Sequence, residues 1–135
     1  MASKIHPLVV HLDGRGGRVV EQIAQGAEAG ASCMLAVVLP RYPVEAERAL
    51  VTARRAGIGV VLVTDSPLAP LAPLADQVLC APVNASLVFD TLAAPMQLVS
   101  ILLDGMVDAD SEHAEQRLEA FDQLAADEHL FLPGA

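Results

Sequence analysis

Residues 57–83 read GIGVVLVTDSPLAPLAPLADQVLCAPV, and the fold turns on how this stretch is read. Gly59 to Thr64 is a short, unbroken apolar run without polar alternation, the pattern of a parallel strand covered on both faces. It ends in Thr64-Asp65-Ser66 and passes into Pro67, Pro70 and Pro73 before a second apolar run, Gln77 to Val83. Proline fixes φ and carries no N–H, so the connection is expected to be a stiff, poorly helical elbow. Ligands of an open parallel sheet bind beyond the carboxyl ends of its strands, which makes Thr64, Asp65 and Ser66 candidate site residues. The same Asp65 and Ser66 would equally serve to satisfy turn amides, with the prolines covering a sheet edge.

Upstream, two more apolar runs, Pro7 to Leu12 and Cys33 to Leu39, alternate with helical patterns. GRVVEQIAQGAEAG places Val19, Val20, Ile23 and Ala27 on one side. VEAERALVTARRAG turns Val44, Ala46, Leu50, Ala53 and Ala56 toward a sheet and Glu47, Arg48, Arg54 and Arg55 away. Pro43 suits a first helical turn, and Gly30 and Gly57 suit C-terminal caps. Repeated strand-helix-strand order implies an open α/β parallel sheet of about four strands in three layers, with right-handed crossovers over residues 5–83.

Downstream of Val83 the pattern becomes purely helical, over residues 84–131. NASLVFDTLAAPMQLVSILLDGMV is apolar nearly all round, so a helix from Ser86 to Val107 must be buried against the sheet or a second subunit, and Pro95 should kink or break it. The last segment opens with Ser111 as a potential N-cap and carries Leu118, Phe121 and Leu124 as a narrow stripe suited to a helix lying on a surface. The whole chain is expected to form one domain.

With 53% hydrophobic residues in 135, the chain has enough apolar material to build a core. No apolar run reaches the roughly 18 residues of a membrane span, and no secretory signal pattern opens the sequence, so a soluble, cytoplasmic protein is expected. Seventeen acidic against eight basic residues give a formal charge of -9, which repels a phosphate backbone and argues against direct nucleic-acid binding. Cys33 and Cys80 lie inside strand-like runs and read as small buried hydrophobes of a reducing compartment. His6, His11, His113 and His129 show no metal-ligand spacing, and neither metal nor cofactor is expected. His11 and Asp13 could form an acid/base pair, but no nucleophile motif accompanies them.

Taken together, RRAGIGVVLVTDSPLAPLAPLADQVLCAPV resembles the SIS (sugar isomerase) domain of RpiR-type transcriptional regulators, whose hydrophobic strand ends in Thr-Asp-Ser before a Ser/Pro/Leu/Ala elbow and an Ala-Asp. The matching positions are Gly57, Thr64, Asp65, Ser66, Pro67, Pro70, Leu71, Ala75 and Asp76. The resemblance implies a flavodoxin-like strand order and a non-catalytic module that senses a phosphosugar or similar carbohydrate derivative and dimerises. It departs from the family where a Ser-x-Ser-Gly loop is expected, because this chain reads VVLPRYP there, and Val37 and Leu39 cannot hydrogen-bond a phosphate. Arg41 and Tyr42 could partly replace those hydroxyls, with Arg41 supplying charge and Tyr42 a hydroxyl or a stacking face.

HLDGRGGRVV resembles the family's second strand and loop, which leaves the family's first strand-helix unit and helix-turn-helix without counterparts here. In the competing reading, Gly14, Gly16 and Gly17 are themselves the phosphate loop. Either way, unpaired strand edges are costly, so Pro7 to Leu12 is expected to pair directly with Cys33 to Leu39. A sugar-phosphate isomerase, or a structural oligomerisation domain that has lost its ligand, are the alternatives to a sensor.

Overall fold

The computed structural model describes Leu12, residues 18–83 and residues 91–129. It divides into two compact units, Met1–Met96 and Gln97–Ala135. The first unit contains α1 (Val19–Glu28), β1 (Cys33–Val37), α2 (Val44–Arg55), β2 (Gly59–Thr64) and β3 (Gln77–Cys80). Helix α3 (Ala93–Ala109) crosses the boundary, and α4 (Ser111–Asp127) lies in the second unit.

The three strands form one open parallel sheet in the order β1-β2-β3, with Leu35 opposite Val61 and Val63 opposite Leu79. This is the expected α/β parallel architecture. Pro7 to His11, most of the proposed fourth strand, lies outside the described residues, as does its pairing with β1. Leu12 at its end is half-buried and packs against the core.

One face of the sheet carries the core. Met34, Val60 and Leu62 meet Val19 and Ile23 of α1 and Ala49, Leu50 and Ala53 of α2. Both helices end as their glycines dictate, with Gly30 at φ +90 and Gly57 at φ +76, values that cost a side chain with a Cβ about 1–2 kcal/mol. The amphipathic reading needs correction at three positions, since Val20, Val44 and Ala56 are exposed. Ala49 takes the buried position instead. A 3.6-residue period puts residues 46, 49, 50 and 53 on one narrow stripe; Val44 falls off it, and Ala56 is the C-cap, past the last residue of α2.

The cysteines also differ from expectation: Cys33 and Cys80 are both free and exposed. Their strands are apolar, but β1 and β3 are the outer strands of the described sheet, and the two thiols sit at their extremities. Apolar sequence alone does not bury a residue at a strand end.

The proline elbow follows the expected course. It holds a single 3-10 turn, Ala72–Leu74, and all three prolines are exposed while Ala69 and Leu71 are buried. Leu71 joins the main core, so the elbow seals the sheet unit.

Pro95 acts as a helix start, not a kink. Thr91 and Leu92 are non-helical, Thr91 Oγ1 accepts the Ala93 N–H at 3.2 Å, and α3 begins there, later than the Ser86 expected from the apolar pattern. Residues 84–90 lie outside the described residues. As the third residue of α3, Pro95 gives up an N–H that has no intrahelical partner in the first turn anyway. On α4 the stripe Leu118, Phe121 and Leu124 is exposed, and Ala125 is the buried residue of that helix.

Candidate functional site

The carboxyl ends of β1 and β2 lie side by side because Val37 pairs with Val63. Beyond them, the loop from Val38 to Pro43 and the turn from Asp65 to Ala69 form one edge of the sheet. The Val38 N–H still donates to Val63 O at 3.0 Å, which carries the ladder one residue past β1.

A compact polar cluster stands at this edge. The Tyr42 hydroxyl donates to Asp65 Oδ1 at 2.5 Å, and the Thr64 hydroxyl donates to the same oxygen at 3.2 Å. Oxygen donors on a carboxylate make charge-assisted bonds, and the shorter of the two is in the range of the strong ones. The hydrogen bond from Tyr42 holds the Asp65 carboxyl below the usual carboxylate range. The same bond, together with burial and the negative charge of Asp65, pushes the Tyr42 phenol up. The pair therefore ties the β1–α2 loop to the end of β2 across 23 residues of sequence.

The remaining candidates are distributed unevenly around that cluster. Thr64 is fully buried and so acts on the edge through Asp65. Ser66 is half-buried, and its Oγ accepts the Leu68 N–H at 3.1 Å while its carbonyl accepts the Ala69 N–H at 3.1 Å. Arg41 is exposed and holds a left-handed backbone at φ +68, a conformation that costs a residue with a side chain about 1–2 kcal/mol. Gly14, Gly16 and Gly17 lie outside the described residues. The structure thus brings Arg41, Tyr42, Thr64, Asp65 and Ser66 to one edge.

Asp76 has a role that spacing and composition did not reveal. Its Oδ2 accepts the Val60 N–H at 2.7 Å, and its own N–H donates to Val60 O at 2.9 Å. A side chain therefore supplies a bond that a strand residue would otherwise make, one step before the β2–β3 ladder starts at Val61 opposite Gln77. An aspartate placed directly before an apolar run is the signal that would have suggested it.

Among the described residues, no group of three or more His, Cys, Asp and Glu side chains could hold a metal ion, and no helix is long and apolar enough to cross a membrane.

The arrangement is that of an open parallel α/β fold. The chain is similar in structure to the sugar isomerase domain of an RpiR transcription factor from Sphaerobacter thermophilus, with a TM-score of 0.63 and 21% sequence identity. The likeness covers 80% of this chain and 73% of the other. At that identity it establishes the fold. No family model and no curated protein sequence matches the chain.

Proposed function

We propose that this chain is a non-catalytic, cytoplasmic sensing module of the SIS type, which binds a carbohydrate derivative beyond the carboxyl ends of β1 and β2 and self-associates through its C-terminal helices. The observation that carries this reading is the Tyr42–Asp65–Thr64 cluster at the sheet edge of an SIS fold. A regulatory role rests on the neighbour being a transcription factor domain. The formal charge of -9 disfavours direct contact with nucleic acid, so a DNA-binding function would belong to another segment or partner.

Catalysis by the isomerase route needs a base of suitable pKa at the site. Asp65, the carboxylate at this edge, is held ionised below its ordinary range and is correspondingly weak as a proton acceptor.

A thermal-shift screen of the purified chain against free, acylated, amino and phosphorylated sugars tests the binding reading. A dose-dependent rise in Tm with one of these classes is expected, and no rise with any of them would overturn it. Self-association is proposed because Ile101, Leu103, Met106 and Val107 of α3 and Leu118 and Leu124 of α4 are all about half exposed or more. Sedimentation should show a dimer or larger species, dissociated by Ile101→Glu or Leu118→Glu. A wild-type monomer at high concentration would refute it.

A further inference from the structure

Among the described residues, Gly30, Arg41, Gly57 and His129 hold a positive φ. Gly30 and Gly57 follow α1 and α2, and His129 follows α4, positions where a left-handed residue is routine. Arg41, at φ +68, comes after a strand instead. A proline followed by a left-handed residue is the combination of a type II turn, whose second central position ordinarily goes to Gly or Asn because a Cβ is strained there. The exposed Arg41 side chain has no burial to offset that strain, so the surrounding structure must hold the conformation.

The flanking chain identifies both the hinge and its holder. Val38 is fixed by its N–H on Val63 O. Pro43, at φ -72 and ψ 147, is fixed by its carbonyl, which accepts the Ala46 N–H at 3.0 Å where α2 begins. Between these anchors proline restrains every residue but one. Pro40 has a locked φ, and Leu39 and Tyr42 each precede a proline and are kept out of the helical region. Arg41 is left as the position that can change basin, and such a change swings Tyr42 relative to the end of β1. Tyr42 resists it, with its ring packed against the core and its hydroxyl donating to Asp65 Oδ1.

We infer that the β1–α2 loop is a latched strap, with Arg41 as its strained hinge and the Tyr42–Asp65 hydrogen bond as the latch that holds it on the sheet edge. A group that draws Asp65 away from Tyr42 releases the strain at Arg41 and frees the loop just ahead of α2. Relaxation of Arg41 offsets part of the bond lost on opening, so the two forms stay close in free energy, as a switch requires. The latch operates whether or not the occupant of this edge is a carbohydrate.

Urea denaturation of single and double variants reads the coupling between hinge and latch. In the wild type, Arg41→Gly relieves the strain and should raise the unfolding midpoint. In a Tyr42→Phe background the loop has already relaxed, so the same substitution only adds freedom to the unfolded chain and should lower the midpoint or leave it unchanged. Asp65→Ala opens the latch from the other side and should abolish the gain in the same way, which keeps the test decisive should Tyr42→Phe fold poorly. Amide chemical shifts supply a second readout, with Tyr42→Phe expected to move positions 39, 41 and 42 and to leave Val60 to Val63 in place. A gain from Arg41→Gly that is as large in either unlatched background as in the wild type overturns the inference, and so does the absence of a gain in the wild type.

Discussion

The sheet unit and the C-terminal helices use similar apolar content to different ends. In the first, Leu50, Val60, Leu62, Val63 and Thr64 are buried to 1% exposure or less, and the core is shared by strands, two amphipathic helices and the proline elbow. In the second, Ala125 is buried while Leu118 remains 61% exposed and Ile101 60%. The difference lies in the pattern. An apolar stripe on one side of α2 needs one sheet face, whereas α3 carries apolar residues around its circumference and requires more covering surface than one neighbour offers.

Replacing a core residue of the sheet unit gives the largest expected effect. Leu62→Ala should lower the unfolding free energy by about 2–5 kcal/mol, measured by urea denaturation, because it opens a cavity in a fully buried site. Leu118→Ala should leave the dilute chain within about 0.5 kcal/mol of wild type and destabilise it only at concentrations where it self-associates. Equal losses from the two substitutions at every concentration would erase the contrast between the units.

An intermediate effect is expected from Asp76→Ala. It removes the acceptor of the Val60 N–H, and a buried donor left unpaired costs about 1–3 kcal/mol. Asp76→Asn keeps an acceptor oxygen in place and should lose much less. Similar losses in both would mean that the charge, not the bond, matters there.

Tyr42→Phe should have the smallest effect on stability and the most informative pH dependence. Asp65 titrates lower in the folded chain than in the unfolded one, so its contribution is present above the ordinary carboxylate range and is lost as pH falls through the lowered value. Tyr42 titrates higher when folded, so its contribution is present below the ordinary phenol value and is lost as pH rises through the raised one. The variant should trail wild type by a constant margin through neutral pH, with the margin closing at both extremes. Urea titrations across pH would show it, and a margin unchanged in acid would mean that the bond to Asp65 does not set the difference.

How far the sequence could be read varied with the range of the interaction involved. Apolar runs without alternation marked β1, β2 and β3 to within a few residues, and Gly30 and Gly57 marked the helix ends, because strand burial and left-handed caps are written in adjacent residues. Thr64-Asp65-Ser66 was legible as a strand end for the same reason. The bond from Tyr42 to Asp65 was not, since nothing local to either residue specifies a partner 23 positions away. Nor was the exposure of Cys33 and Cys80, which depends on where the sheet stops and not on the residues beside them.

By itself the sequence determined the alternation of strands and helices, the stiffness of the elbow, the acidic charge and the residue types available at the strand ends, all set by side-chain chemistry and short-range sterics. Tertiary structure alone decided that Asp76 completes the ladder beside β2, that Pro95 opens a helix, and that two hydroxyls converge on one oxygen of Asp65. Those outcomes depend on which distant groups the folded backbone brings within hydrogen-bonding distance, and parallel pairing of β1 with β2 is what brings Tyr42 to Asp65.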